Sequence, residues 1–425
     1  MEERLFTRDG VFLLLSTFLN SIPVGYINVV PLVYLAEIGY DPSTIGIIYS
    51  ASAVAATVGL IPFGILADRH GKKGLLLLGT FLPCVSYAIF GLTLDASWLT
   101  VASIIGGVGF AGGLGAAIGT PSFIPMVADS TSEKKRATLF GVLQGTWALA
   151  LTIGSALSFL PSLFHTSFAQ SVRSAHSEVY FIMAGVAAAG IVPILFVKEK
   201  DKSSNPNLLS GSYTEGKAPY RSRKLPVTCW SRIAQFSAVF ACTGFGLGVL
   251  VQLLPTWFTL RYGASESSIG FWMAVANLAT IVAVPLIPRL VRRGGTISTG
   301  VTTGVLGALA LALMPLTGFE EAAALFAIRS AAMAASWAVV QSYMMGAAGE
   351  NERATVYAFT YTAWGLAVSL GTFVGGELFG AGLLTLPFVA AVISYLISSV
   401  ALRFFFGKVE PVEEVTRFGL PRVSE

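Results

Sequence analysis

Apolar runs of about twenty residues or more follow one another along nearly the whole chain, separated by short polar or basic breaks. A run of that length as a helix covers the hydrocarbon thickness of a bilayer. Only 12% of the 425 residues are charged, about half the share usual in a soluble domain. So few charges leave too little polar surface to coat a water-soluble globule, whereas lipid removes the need for one. Gly and Pro, at 45 and 19 residues, fit the same reading, since both are commoner in membrane helices than in soluble ones.

The breaks divide the chain into spans over 10–36, 43–66, 74–94, 97–126, 137–160, 178–197, 232–260, 267–288, 297–316, 321–346, 354–378 and 382–406. They are numbered 1 to 12 below. The first is too long and too weakly flanked for a cleaved signal peptide and reads as a retained helix. Basic residues then set the orientation. With the N-terminus in the cytoplasm, all of the 27 Lys and Arg except Arg173, Arg261 and Arg329 fall on the cytoplasmic side. A missing or extra span would scramble that partition. Twelve helices, both termini inside, and a cell-membrane location follow. Residues 198–229, rich in Ser, Pro, Lys and Arg, read as a cytoplasmic linker between six-helix halves over 1–197 and 230–408, and 409–425 as a cytoplasmic tail.

The halves resemble each other. Pro31-Leu-Val-Tyr-Leu-Ala-Glu-Ile-Gly39 parallels Pro255-Thr-Trp-Phe-Thr-Leu-Arg-Tyr-Gly263, and the pairs Ile45-Gly46 and Ile269-Gly270 follow at one spacing. Arg136-Ala-Thr, with Trp147 and Gly154 after it, parallels Arg353-Ala-Thr with Trp364 and Gly371. Two matches in the same order argue for duplication, a common plan of transporters whose substrate site lies between the repeats.

The loop after span 2 reads Gly64-Ile-Leu-Ala-Asp68-Arg69-His70-Gly71-Lys72-Lys73. It resembles the signature loop of the major facilitator superfamily. The resemblance implies an all-α fold of two six-helix halves related by a pseudo-two-fold, and a cytoplasmic gate in which Asp68, with Gly64, Arg69, Gly71 and Lys72, latches onto the start of span 11 near Arg353. Asp129 and Arg136 resemble the partners that accompany this loop. The loop after span 8, Pro288-Arg-Leu-Val-Arg-Arg-Gly-Gly295, keeps the base and glycines but not the acid. The Arg within span 4 and the Gly-Pro pair late in span 5 that proton-coupled drug antiporters of the family carry are both missing here. The span 4 glycines read as sites of close helix packing.

An ionisable group inside a span is a functional candidate, because burying it costs several kcal/mol. Arg329 in span 10 is the clear case, either for a substrate anion or for a structural pair. Asn28 and Gln252 are repeat partners, each three residues before a proline that frees backbone carbonyls. Asn20, Tyr26, Asn277, Gln341, Gln144, Tyr361, Trp337 and Trp364 complete the candidate substrate set. All 23 carboxylates read as lying in loops or at helix ends, Glu37, Glu178 and Glu377 being nearest to the membrane, so no proton relay is visible.

His70, His165 and His176 fall in expected loops. Cys84, Cys229 and Cys242 show no disulfide or metal spacing. No metal, cofactor, nucleic-acid partner or catalytic constellation is implied. The expectation is a monomeric transporter of a small organic solute, an organic anion or polar metabolite, with or without a coupling ion. A multidrug–proton antiporter is the alternative, and a non-transporting receptor ranks below both.

Overall fold

The structure, a computed structural model, describes residues 7–109, 112–131, 136–198, 227–347 and 353–407. Within them the side chains of 68, 70, 128, 129, 136–138, 140, 227–229, 345–347 and 353–355 lie outside the description. Each expected span is helical, and no strand occurs among the described residues. Among the described residues, ten helical segments are long and apolar enough to cross a membrane. The helix Arg353–Gly380, at the place of span 11, has 28 residues, a length of about 42 Å. The expected tail, and all of the linker but Lys198 and the helical backbone of 227–229, lie outside the described residues.

Spans 1, 7 and 4 are interrupted where the chain cannot complete its helical ladder. Span 1 runs as Arg8–Ile27 and Val30–Glu37. Pro31 has no N–H, so the carbonyl of Ile27 four residues back loses its helical donor. The Tyr49 hydroxyl donates to that carbonyl instead, at 3.2 Å. Span 7 breaks at the equivalent place, between Val227–Val249 and Leu254–Tyr262, where Val251–Leu253 tighten into a 3₁₀ turn ahead of Pro255. Both breaks sit where the paired prolines put them.

Span 4 departs from expectation. It is two helices, Ala96–Gly106 and Gly113–Asp129, rather than one over 97–126. Gly107 and Gly109 have φ of 88° and 75°, a region that only glycine enters at little cost. Packing explains part of the glycine run: a Cβ at Gly79 would lie 2.6 Å from the Gly119 Cα. The rest turns the chain. Span 2 supports the interruption, with Ser103 donating to Ile48 O at 2.8 Å and Ser52 accepting from the Val108 N–H at 3.2 Å. Those bonds matter because an unpaired backbone group inside a bilayer costs several kcal/mol.

Helix starts are capped in the ordinary way. Asp95 accepts from the N–H groups of Ser97 and Trp98 at the head of span 4. Asp95→Ala is expected to lower stability by about 1 kcal/mol, read as a small drop in thermal unfolding temperature in detergent with uptake intact.

Among the described residues the two halves share a buried apolar core at one end of the bundle. At the end carrying loops 38–41, 93–95, 263–265 and 381–385, one buried apolar cluster takes in Leu32, Val33 and Leu35 from span 1 and Leu253, Leu254 and Trp257 from span 7. At the opposite end the clusters are separate. One holds Leu13, Leu76, Leu139 and Ile194, the other Ile233, Phe236, Tyr343 and Phe406. The shared core marks the outer end in the orientation that the basic residues predict.

One expectation about charged groups is corrected. His165 and His176 lie in helices, Leu160–Ser167 and Val172–Ala189, and His70 ends the helix Pro42–His70, so none is in a loop. His176 is buried. Glu266 does begin a helix, as a carboxylate at a helix end should, yet it too is buried.

Candidate functional site

A cavity of about 300 Å³ opens among spans 1, 3, 4 and 5. Asn20 and Asn28 reach it from span 1, Thr80 and Tyr87 from span 3, Gly109 from the span 4 break and Trp147 from span 5. No charged side chain lines it among the described residues. Gln252 approaches from the other half: a Cβ on Gly109 would collide with its Nε2, so the glycine makes room for that amide. Thr372 donates to Gln252 Oε1 at 3.3 Å, while Gln252 Nε2 and Asn28 Oδ1 are buried without a partner among the described residues. Of the two amides that the repeat pairs, Asn28 lines the cavity and Gln252 stands behind Gly109 in its wall, both with unspent hydrogen-bonding capacity that a polar solute could satisfy.

Above this cavity the halves meet side by side. Thr256 donates to the Leu32 carbonyl at 3.1 Å, and these are repeat-equivalent positions, so the contact lies beside the pseudo-two-fold. Ser369 of span 11 donates to Ser50 O of span 2 at 2.9 Å. A Cβ on Gly46 would stand 2.7 Å from Gly376 Cα, and one on Gly270 would stand 2.5 Å from Ser155 O. The paired Ile-Gly motifs of the repeat are therefore points of close approach between the halves, span 2 on span 11 and span 8 on span 5.

His176 of span 6 meets Glu266 of span 8 at this same end, with Nε2 2.8 Å from Oε1. Its ring stacks on Tyr34 of span 1, with centroids 3.7 Å apart and planes at 14°. Nearby, in the loop between spans 1 and 2, burial and the Asp95 carboxylate push the Tyr40 phenol above its ordinary value, so Tyr40 stays protonated and donates to Leu94 O.

Not all of the expected substrate set gathers at the cavity. Asn277 donates to Ser155 Oγ across the halves at 3.4 Å. Tyr26 packs edge-on against Tyr180, its hydroxyl without a partner among the described residues. Trp337, Trp364 and Tyr361 form an aromatic cluster with Phe240 in the second half. Trp337 borders a smaller pocket there, of about 30 Å³. Gln341 is half-buried and Gln144 exposed, and neither lines either pocket. Arg329 is buried, donates from Nη2 to the Tyr395 hydroxyl of span 12, and lines neither cavity.

Of the expected gate, Gly64 sits against Pro121, Arg69 is exposed, Gly71 ends the helix at φ 99°, and Lys72 begins the turn into span 3. The side chains of Asp68, Asp129, Arg136 and Arg353 lie outside the described residues, although helices do begin at Arg136 and Arg353.

The sequence reading missed the His176–Glu266 pair and Tyr49. A signal existed for the first. His176, Val179, Tyr180, Met183 and Ala187 recur at helical spacing and are all buried.

Comparison with known proteins points one way. The family model of the Major Facilitator Superfamily matches residues 13–372. Multidrug resistance protein 2 of Bacillus subtilis (strain 168) is 24% identical over 287 residues, 67% of each chain. YcaD of Escherichia coli, an uncharacterized MFS-type transporter, is 27% identical over 78% of this chain and 80% of its own. The chain spans less than two thirds of several other relatives, 60% to 63% in two of them. The structure of the nucleoside transporter NupG shares the fold, with a TM-score of 0.70 at 13% identity over 94% of this chain and 100% of that one.

Proposed function

The chain belongs to the major facilitator superfamily, and we propose that it carries a neutral polar or amphipathic organic solute across a cell membrane by alternating access. The observation that carries this is an uncharged cavity lined by Asn28, whose Oδ1 is unspent, with the unspent Gln252 amide of the other half packed behind Gly109 in its wall. The anion reading rests on Arg329, which is engaged with Tyr395 away from that cavity. With both termini in the cytoplasm, the shared core closes the outer side and the described state faces inward. The Asp68 loop and the start of span 11 would close the inner side in the opposite state. The chain works as a monomer, its halves joined by the cytoplasmic linker.

Efflux of apolar drugs is the second reading. It is favoured by the aromatic lining, Tyr87, Phe123 and Trp147, and by the activity named for Multidrug resistance protein 2.

The test is uptake into liposomes, with charged, neutral-polar and amphipathic solutes screened with and without a pH gradient. Asn28→Val is expected to weaken binding of the transported solute about 5- to 150-fold, the effect of about 1–3 kcal/mol for a lost buried polar contact. Unchanged uptake of every transported solute would remove Asn28 from the site. Transport of anions alone, lost in Arg329→Ala, would return the anion reading.

A further inference from the structure

The bond between His176 and Glu266 cannot form without a proton that neither group needs elsewhere. His176 Nδ1 lies 2.7 Å from the Val172 carbonyl. A carbonyl only accepts, so the ring hydrogen sits on Nδ1. In the neutral ring the opposite nitrogen, Nε2, then carries a lone pair, and it points at the Glu266 carboxylate 2.8 Å away. Lone pair facing anion is repulsive. One further proton turns the contact into a hydrogen bond, whether it resides on the ring or on the carboxyl. The neutral ring could keep the bond by moving its hydrogen to Nε2, but Nδ1 would then face the Val172 carbonyl with a lone pair of its own. Stacking on Tyr34 holds the plane in which both contacts are made.

The position gives that proton leverage. His176 belongs to the first half and Glu266 to the second, and both are buried at the end where the halves are closed. We propose that His176 and Glu266 form a one-proton latch of the outer gate: the halves stay joined while a proton lies between Nε2 and Oε1, and separate when it leaves to water on the outer side. H⁺ is thereby a ligand of this transporter, bound at a site outside the solute cavity. The inference rests on the alternating-access reading, since a latch needs two states to choose between.

Charged and titratable groups surround the pair. Tyr34 and the exposed Glu37 face it from span 1, with Tyr26 deeper in the same span. Arg173, exposed, and Tyr180 lie on the helix of His176. On span 7, Arg261 lies over the Tyr262 ring. On the helix before span 6, His165 is bonded through Nδ1 to Gln170 O. Imidazole is the side chain among these that changes charge near neutral pH.

The test measures gate opening without reference to any solute. Spin labels are attached to cysteines introduced at Ser97 and Thr385, exposed at the outer ends of the two halves, after replacing Cys84, Cys229 and Cys242. Distances between the labels are read in nanodiscs from about pH 5.5 to 8.5, the window in which imidazole titrates. Wild type is expected to shift from the short to the long distance as pH rises. The open-to-closed ratio should change by up to about tenfold per pH unit, the limit for one proton. Glu266→Gln keeps the contact without a proton, because the amide N–H can donate to Nε2, and should stay closed across the range. His176→Phe keeps the ring on Tyr34 but loses the bond and should be open at every pH. A wild-type distribution of two distances that ignores pH overturns the latch while leaving alternating access standing, as does a pH shift that both variants retain. A single distance under every condition in every protein removes both readings.

Discussion

Replacing Gly270 by leucine is expected to cut initial uptake into liposomes about 5-fold or more while leaving helix content unchanged. A Cβ at Gly270 already falls within 2.5 Å of the Ser155 carbonyl oxygen and collides with the Ser158 hydroxyl. Much of what it meets is backbone, so no rotamer change can accommodate the larger side chain. Spans 5 and 8 must part. Overpacking of this kind costs about 1–3 kcal/mol. It is charged only to the state in which the outer ends are pressed together, because the separated state leaves the space open. A bias of that size moves the ratio of the two states about 5- to 150-fold, away from the outer-closed state and towards the outward-open one.

Gly46→Leu should do the same on the other side of the pseudo-two-fold, where span 2 meets span 11 at Gly376. A cysteine introduced at Leu253, buried in the shared core, reads the shift directly. It should react slowly with an impermeant maleimide in the parent and at least tenfold faster in either glycine variant. Parent rates of both uptake and labelling would show that these glycines are packing details with no part in the cycle.

The repeat aligned the two glycines without giving them a role, and its paired prolines marked where spans 1 and 7 kink without showing that the helices stop there. Pro31 and Pro255 act locally: a missing N–H frees a carbonyl four residues back whatever the rest of the chain does. The span 4 break was not legible, because a glycine run means close packing when its φ values are helical and a turn when they are positive. Only the neighbouring spans decide between the two, here Ser52 and Ser103 against span 2. The latch was hidden for a further reason. His176 stands in a polar stretch with Arg173, Ser174, Ser177 and Glu178, and Glu266 in Ser265-Glu266-Ser267-Ser268. Each looks like solvated loop, and their partnership crosses 90 residues of sequence. Burial of one is explained only by burial of the other.

Arg329 presents the converse case, a residue conspicuous in the sequence whose surroundings the sequence could not supply. Its guanidinium donates to Tyr395, lies 5.4 Å from that ring's centroid and 6.0 Å from that of Phe326, and leaves Nε unpartnered among the described residues. Tyr395 is therefore the group that makes a buried cation tolerable. Tyr395→Phe keeps the ring and its cation–π contact but removes the acceptor, and is expected to destabilise the protein by about 1.5–3 kcal/mol, the worth of a hydrogen bond to a charged group. Arg329→Met removes the cation along with its need for a partner. Swapping a buried charge for an apolar side chain of similar length is often close to neutral, so this variant should unfold in detergent at a higher temperature than Tyr395→Phe and should retain uptake. The opposite pattern, in which Arg329→Met unfolds like the parent but no longer transports and Tyr395→Phe is harmless, would mean that the guanidinium turns to a solute during the cycle and that Tyr395 merely holds it between turnovers.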